Sequence, residues 1–367
     1  AAAVEHAHAD GLPGRGGIEI GLSPRISTPP PGLKRFFEDY PYACLEQKIS
    51  VAIGLNDAAR WERIVEALPT YLDQYGLAAY FPNGHGSPTL TAYVLSATHA
   101  AGFAIPEATA QRMERALAAF AEGRIKIEHW SPVNDLLVRK LTALEALTRR
   151  GVKPLSAISS LHVVPSRLPT SALIDWTLII KRIPELPDRA SRLVSADKEL
   201  RNRMSYLGGK LVFTNERSDY WWWLMVSGDV NSFRLIEAVL DDMNWQDDLP
   251  ALVQGAMLRQ NRGHWSTTVA NVWAAIALKR FGQKFEKENV SGTTRARLGV
   301  HFGTNLAANP PQEYNWRHWK DGEAAILMLP WPAKPEAEDK LHLSHEGTGK
   351  PWVAAQVLAA LPVKDHR

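Results

Sequence analysis

The sequence predicts a mainly α-helical fold with β-strands at both ends. Between about residues 44 and 285, apolar side chains recur with the i, i+3, i+4, i+7 spacing of helices that bury one face. Turn-forming pairs such as Arg150-Gly151, Gly208-Gly209 and Phe281-Gly282 separate these stripes. The pattern therefore predicts roughly ten to twelve helices with short connections. Such connections favour antiparallel hairpins, arranged as a solenoid or as a closed toroid.

Six apolar stripes define the most regular of these helices. They lie at Trp61–Tyr75, Leu90–Ala97, Leu137–Leu147, Ile236–Met243, Leu252–Met257 and Val269–Ile276. No sequence motif recurs with a fixed period, so we expect the hairpins to repeat in structure only.

Strand-like segments flank the helical region. Ile18–Leu22 alternates apolar and small or charged residues, as a strand does. After Gly292 come the short runs Ala324–Trp331, Lys340–Ser344 and Trp352–Leu358, of which the last could also form a short helix. We therefore expect a β domain interrupted by a helical domain, with residues 1–30 and 293–367 in the β part and 31–292 in the helical part.

Composition excludes several classes of function. The 42 Lys and Arg against 39 Asp and Glu leave a formal charge of +3, too small for a dedicated nucleic-acid surface. No apolar run of about eighteen residues exists that could span a membrane. The start of the chain lacks the pattern of a signal peptide, so we expect any export signal to lie upstream of it. The single cysteine and the scattered histidines predict no disulfide, no metal and no cofactor.

Cys44 is followed three residues later by Gln47, at the predicted start of a helix. Positions i and i+3 share one helical face, so the sulfur can meet the carboxamide. A helix N-terminus also favours a thiolate over a thiol. Attack of this thiolate on Gln47 would expel ammonia and close an internal thioester, which is an activated acyl group.

The residues around this pair point to a known family. Tyr40 and Tyr42 stand directly before it and could keep water from a hydrolysable ester. The run Tyr40-Pro-Tyr-Ala-Cys-Leu-Glu-Gln47, with Leu45 and Glu46 inside the motif, resembles the thioester signature of bacterial alpha-2-macroglobulins. Three further segments resemble later parts of the same family in the right order: Ser87–Leu95, His264–Leu278 and Leu343–Lys350.

This resemblance implies an alpha/alpha toroid of about six helical hairpins, inserted in a CUB-like β domain. It implies that Gln47 is the acyl donor and Cys44 the leaving thiol of a protease trap. After a bait segment elsewhere is cut, the thioester acylates Lys amines of the attacking protease once, so the protein is an inhibitor and not a turnover enzyme. Relatives work in the periplasm, often as inner-membrane lipoproteins.

A histidine could redirect the reaction. In some members of the wider family, a histidine from a later loop takes the acyl group first and passes it to hydroxyls. The matching loop here lies around Glu128-His-Trp130, which makes His129 the candidate relay. His129 is not embedded in a family motif, and a surface-loop histidine is the more ordinary interpretation.

Two other functions compete with the trap. Helical toroids also serve as glycosidases and as isoprenoid cyclases or transferases, but these need paired carboxylates or a metal set facing the central cavity. The sequence shows neither pattern. The same fold could also act as an interaction module with an unformed or hydrolysed thioester, although the intact Cys44 and Gln47 weigh against this.

Overall fold

The computed structural model describes residues 2–4, 15–26, 31–127, 135–214, 221–299, 313–319, 324–331 and 339–359. The chain divides into two compact units. One is helical and comprises Pro29–Leu278, and the other combines Ala1–Thr28 with Lys279–Arg367. The β unit is therefore built from the two ends of the chain.

Twelve α-helices lie in the described part of the chain. They are α1 (Pro31–Glu38), α2 (Leu45–Gly54), α3 (Ala58–Ala67), α4 (Pro88–Ala101), α5 (Glu107–Ala121), α6 (Leu136–Arg149), α7 (Leu155–Ser159), α8 (Thr170–Arg182), α9 (Arg189–Asn202), α10 (Gly228–Val239), α11 (Leu249–Met257) and α12 (Thr268–Phe285). The prediction of a mainly α fold is confirmed. None of the described helices is both long enough and apolar enough to cross a membrane.

The even-numbered helices form the interior of the helical unit. α2, α4, α6, α8 and α10 pack against one another in that order. Residues Pro88–Thr98 of α4 are all buried, whereas α3 and α5 bury only one face. Because α4 lies inside this row, it carries small and apolar residues on every side. Closure of the row into a toroid of six hairpins remains a prediction.

Charged side chains are buried where the inner helices meet. They are Glu145 of α6, Asp175 of α8, and Arg234 and Glu237 of α10. The side chain of Arg149 on α6 is only 5% exposed, and the half-buried Arg182 of α8 lies beside them. Glu145 pairs with Arg149 at 2.7 Å and with Arg182 at 2.8 Å. Buried charges are costly unless paired, so this cluster ties α6, α8 and α10 into one arrangement.

A β-hairpin lies inside the helical unit, where the sequence predicted only helices. Strands β3 (Met204–Leu207) and β4 (Lys210–Phe213) pair antiparallel, with Met204 opposite Phe213. Gly208 and Gly209, expected to separate two helices, instead form the two-residue turn with φ values of 55° and 80°. Such positive φ values at both positions are what a tight hairpin requires and glycine readily adopts.

The β unit contains two antiparallel sheets. Its strands are β1 (Ala2–Val4), β2 (Gly16–Ser23), β5 (Gly292–Gly299), β6 (Glu313–Trp319), β7 (Ala325–Pro330), β8 (Asp339–Glu346) and β9 (Trp352–Ala359). One sheet has the order β1-β8-β5-β6 and the other β7-β2-β9. Ile18 and Ile20 of one sheet share a core with Leu298 and Leu341 of the other. The alternating residues of Ile18–Leu22 thus predicted β2, and the short strand-like runs predicted β7 and β8. The run Trp352–Leu358, which could also have formed a short helix, is the strand β9.

Candidate functional site

Cys44 and Gln47 meet at the N-terminus of α2. Cys44 is the N-cap residue, with extended backbone angles of −68° and 168°, and it forms a capping box with Gln47. In this box the backbone N–H of Cys44 donates to Oε1 of Gln47 at 3.0 Å. The reciprocal contact joins the Cys44 side chain to the backbone N–H of Gln47. A capping box therefore brings the sulfur and the carboxamide together before any bond forms.

The first turn of α2 is fixed by its neighbours. Leu45 is fully buried, and its backbone N–H donates to the carbonyl of Tyr80 at 2.9 Å. The N-terminal N–H groups of a helix have no partner within the helix, so this bond satisfies one of them. It also holds the segment before α4 against the motif.

An open cavity of about 580 Å³ borders the pair. Its lining residues are Pro41, Tyr42, Ala43, Cys44, Glu46, Gln47, Tyr80 and Phe81. Cys44 is only 9% exposed, while the Gln47 side chain is half-buried. The rim carries Tyr42 and Phe81, which are 67% and 63% exposed. A small nucleophile can thus approach the carboxamide while the sulfur stays enclosed.

The expected preference for a thiolate is not found at Cys44. Burial raises the pKa of the thiol, and the backbone N–H of Gln47 lowers it by less. The nearby carboxylate of Glu46 raises it further. Desolvation of the charged form therefore outweighs the helix N-terminus, and the free sulfur is a thiol at neutral pH.

Tyr40 and Tyr42 both lie beside the motif. Burial and the charge of Glu46 raise the pKa of the Tyr40 hydroxyl, and the nearby Gln47 carboxamide lowers it by less. Tyr42 packs edge-on against Tyr40, with ring centroids 5.7 Å apart. Tyr42 lines the cavity beside Gln47, and Tyr40 supports its ring. Their role in shielding the ester remains a prediction.

Glu46 makes a contact that the sequence did not reveal. Its carboxylate is 7% exposed, and Oε1 accepts hydrogen bonds from Ser50 and Thr268 at 2.7 Å each. The i, i+4 spacing of Glu46 and Ser50 on one helix could have indicated the first bond. Thr268, the first residue of α12, lies 222 residues away, and no local pattern points to it.

His129, the candidate relay histidine, lies outside the described residues, as do Glu128 and Trp130, so its role stays a prediction. Across the described ranges, no group of three or more His, Cys, Asp and Glu side chains could hold a metal ion.

Comparison with known proteins gives a likeness of fold. No sequence-family model matches the chain, and no curated protein matches it in sequence. Native Escherichia coli alpha-2-macroglobulin is similar at a TM-score of 0.59 and 16% identity, over 99% of this chain and 23% of that one. The part of the same protein from domain MG7 to the C-terminus gives 0.59 and 17%, over 100% of this chain and 57% of that one. Salmonella alpha-2-macroglobulin reacted with methylamine gives 0.57 and 17%, over 99% and 23%.

The fold matches the C-terminal region of bacterial alpha-2-macroglobulins. The motif Cys44–Gln47 resembles the same family, and the comparisons support that resemblance by a likeness of fold. At these identities the likeness speaks for the fold alone. The chain spans about a quarter of the complete macroglobulins that it matches, so the activity of a whole macroglobulin does not follow from it.

Proposed function

We propose that this chain is the thioester domain, with flanking CUB-like β segments, of a bacterial protease-trapping macroglobulin. One observation carries the proposal: the Gln47 carboxamide is folded back on Cys44 at the start of α2. This pair stands in a fold that matches the C-terminal region of bacterial macroglobulins. Residues 31–292 would form the thioester domain, and residues 1–30 and 293–367 the CUB-like part.

Closure of the thioester joins the sulfur of Cys44 to Cδ of Gln47. The C–S bond forms, the C–N bond of the carboxamide breaks, and the thiol proton leaves with ammonia. Negative charge develops on Oε1 during the attack. The backbone N–H of Cys44 already donates to Oε1 at 3.0 Å, so it stabilises that charge as an oxyanion donor does.

The trap reaction consumes the thioester. After a protease cuts the longer protein, a Lys amine of that protease attacks the acyl carbon of Gln47 and an amide forms. The C–S bond breaks, and the amine proton passes to the Cys44 thiolate, since burial raises the pKa of that thiol. Each molecule reacts once, so the protein is an inhibitor and no enzyme. Structures of similar proteins support a protease and an amine as the reactants. One is of E. coli alpha-2-macroglobulin activated by porcine elastase, and another is of Salmonella alpha-2-macroglobulin reacted with methylamine.

Direct attack by amines fits the cavity better than a histidine relay. None of the described residues that line the cavity is a histidine. Without a relay the thioester needs a good intrinsic nucleophile, and an unprotonated amine is far better than a sugar hydroxyl. If His129 acts as relay, glycerol should be transferred efficiently, and this transfer should disappear in His129→Ala.

The interior of the helical unit weighs against a toroidal enzyme. Glycosidases need two carboxyl groups able to exchange protons with a substrate. The buried Glu145, Asp175 and Glu237 are instead ion-paired with arginines. We therefore keep the trap as the function, and place it in the periplasm as the family resemblance implies.

The test is the mass and thiol content of the full-length protein. Freshly isolated protein should weigh one ammonia less than its sequence and show no titratable thiol at Cys44. Methylamine should restore the thiol and add one methylamine to the mass. Gln47→Ala serves as the control, with a full thiol from the start. A free thiol and full mass in uncleaved wild type would contradict the proposal.

A further inference from the structure

Glu46 links the two ends of the helical unit. Its Oε1 accepts from Thr268 Oγ1, which belongs to the first turn of α12, and from Ser50 Oγ on its own helix, both at 2.7 Å. Ser50 Oγ in turn lies 2.7 Å from the hydroxyl of Tyr93 on α4. All four side chains are buried. We call Glu46, Ser50 and Thr268 the brace.

The brace acts on the turn that holds the reactive pair. Glu46 stands between Cys44 and Gln47 in that turn and lines the same cavity. Its bond to Thr268 and the bond from Leu45 to the Tyr80 carbonyl fix the turn from two directions. A displaced turn would move the sulfur away from the carboxamide. Misplacing reacting atoms by even about 1 Å slows a reaction on the order of a hundredfold.

We propose that Glu46 is a positioning residue for the thioester, which through Thr268 holds the first turn of α2 in the geometry where Cys44 and Gln47 join. This inference rests on the proposed function. Glu46 forms no covalent bond and transfers no proton in this step. The thiol proton leaves with ammonia on closure, and the carboxyl is unchanged throughout. Its work is to accept two hydrogen bonds.

That distinction decides the choice of variants. Both hydroxyls donate to Oε1, so the amide oxygen of a glutamine can accept the same two bonds. Glu46→Gln therefore keeps the brace but cannot exchange protons, whereas Glu46→Ala removes both. At the other end, Thr268→Val removes the donor with little change of volume, and its matched control Thr268→Ser keeps the hydroxyl.

The experiment measures, in the full-length protein, the fraction of freshly isolated molecules that lack one ammonia by intact mass. Thr268→Val and Glu46→Ala should lower this fraction, relative to free-thiol molecules, by at least about tenfold. Thr268→Ser and Glu46→Gln should match the wild type. The thermal unfolding of each variant is first compared with that of the wild type, to show that it folds. The comparison of Thr268→Ser with Thr268→Val then gives the effect of the hydroxyl on the fraction, apart from any effect on folding.

The outcomes are distinct. Wild type with no mass deficit would remove the proposed function itself. Wild type with the deficit, and folded Thr268→Val with the same fraction, would overturn the brace alone. Loss in Glu46→Gln with retention in Thr268→Val would also overturn it, in favour of proton transfer by Glu46. Loss in Thr268→Val with rescue by Thr268→Ser and Glu46→Gln supports the positioning role.

Discussion

The Gln47 carboxamide is held by the backbone N–H of Cys44, which donates to its Oε1 at 3.0 Å. The side chain therefore lies back over the helix start and does not extend into solvent. Since ordering a flexible side chain is part of the barrier to ring closure, this contact favours the reaction that we propose.

The exposed ring of Tyr42 gives a prediction about water. We expect Tyr42→Ala to speed the spontaneous appearance of the Cys44 thiol severalfold, because Tyr42 lines the cavity beside Gln47 and packs on Tyr40. Thioester formation should persist. Thiol titration over time measures the rate. Tyr75→Ala is the control, since Tyr75 is also exposed but does not line the cavity. An unchanged rate in Tyr42→Ala and in Tyr40→Ala would count against shielding.

The freed Cys44 thiol should ionise at a higher pH than an ordinary cysteine thiol does. Burial raises its pKa, so the thiolate fraction at a given pH is smaller than for an ordinary thiol. After methylamine treatment, the alkylation rate of Cys44 should therefore still rise with pH above about 8.5, where a normal cysteine is half ionised. The same protein in denaturant is the control. A native curve that levels off at lower pH than the denatured one would refute the assignment.

The buried cluster around Glu145 predicts a loss of stability in acid. Burial raises the pKa of this carboxyl, but Arg149 and Arg182 outweigh it and hold the pKa well below its usual range. A folded pKa below the unfolded value of about 4.3 adds stability above that pH, and this stability is lost as pH falls below it. Glu145→Gln should flatten the decline measured by urea unfolding between about pH 5 and pH 2.

Removal of the Glu145 side chain should be severe. Glu145→Ala leaves Arg149 with one partner fewer in the interior, and breaking a buried pair costs about 3–5 kcal/mol. Glu185 pairs with Lys153 at the surface, and Glu185→Ala should change stability little. Equal effects of the two alanine variants would show that burial of the cluster is unimportant.

Gly255 of α11 tests packing against helix propensity. Alanine is favoured over glycine within a helix by about 1 kcal/mol. At Gly255, however, a methyl group would overlap the carbonyl oxygen of Leu211 on β4. We expect Gly255→Ala to destabilise by about 1–3 kcal/mol, as overpacking does. Gln254→Ala, at an exposed neighbour, is the control for the urea unfolding measurement. A stabilised Gly255→Ala would mean that β4 yields readily.

Local patterns determined what could be predicted. The i, i+3 spacing placed Cys44 and Gln47 on one turn because a helix start is a local structure. Alternating residues likewise predicted β2, and a short apolar run between breaks predicted β7. The hairpin of β3 and β4 was missed although Gly208 and Gly209 stand between short apolar runs, since those runs also fit helix ends. Thr268 could not be found at all, because its contact with Glu46 depends on how the whole helical unit folds.

The distance along the chain between Glu46 and Thr268 has a consequence for synthesis. At ordinary ribosomal speeds, 222 residues take roughly 10 to 45 seconds to add. Throughout that time Glu46 lacks its partner Thr268. Under the proposed function and the proposed role of Glu46, the newly made Cys44 then forms the thioester at least about tenfold less readily, so most of the reactive bond forms after α12 has been made.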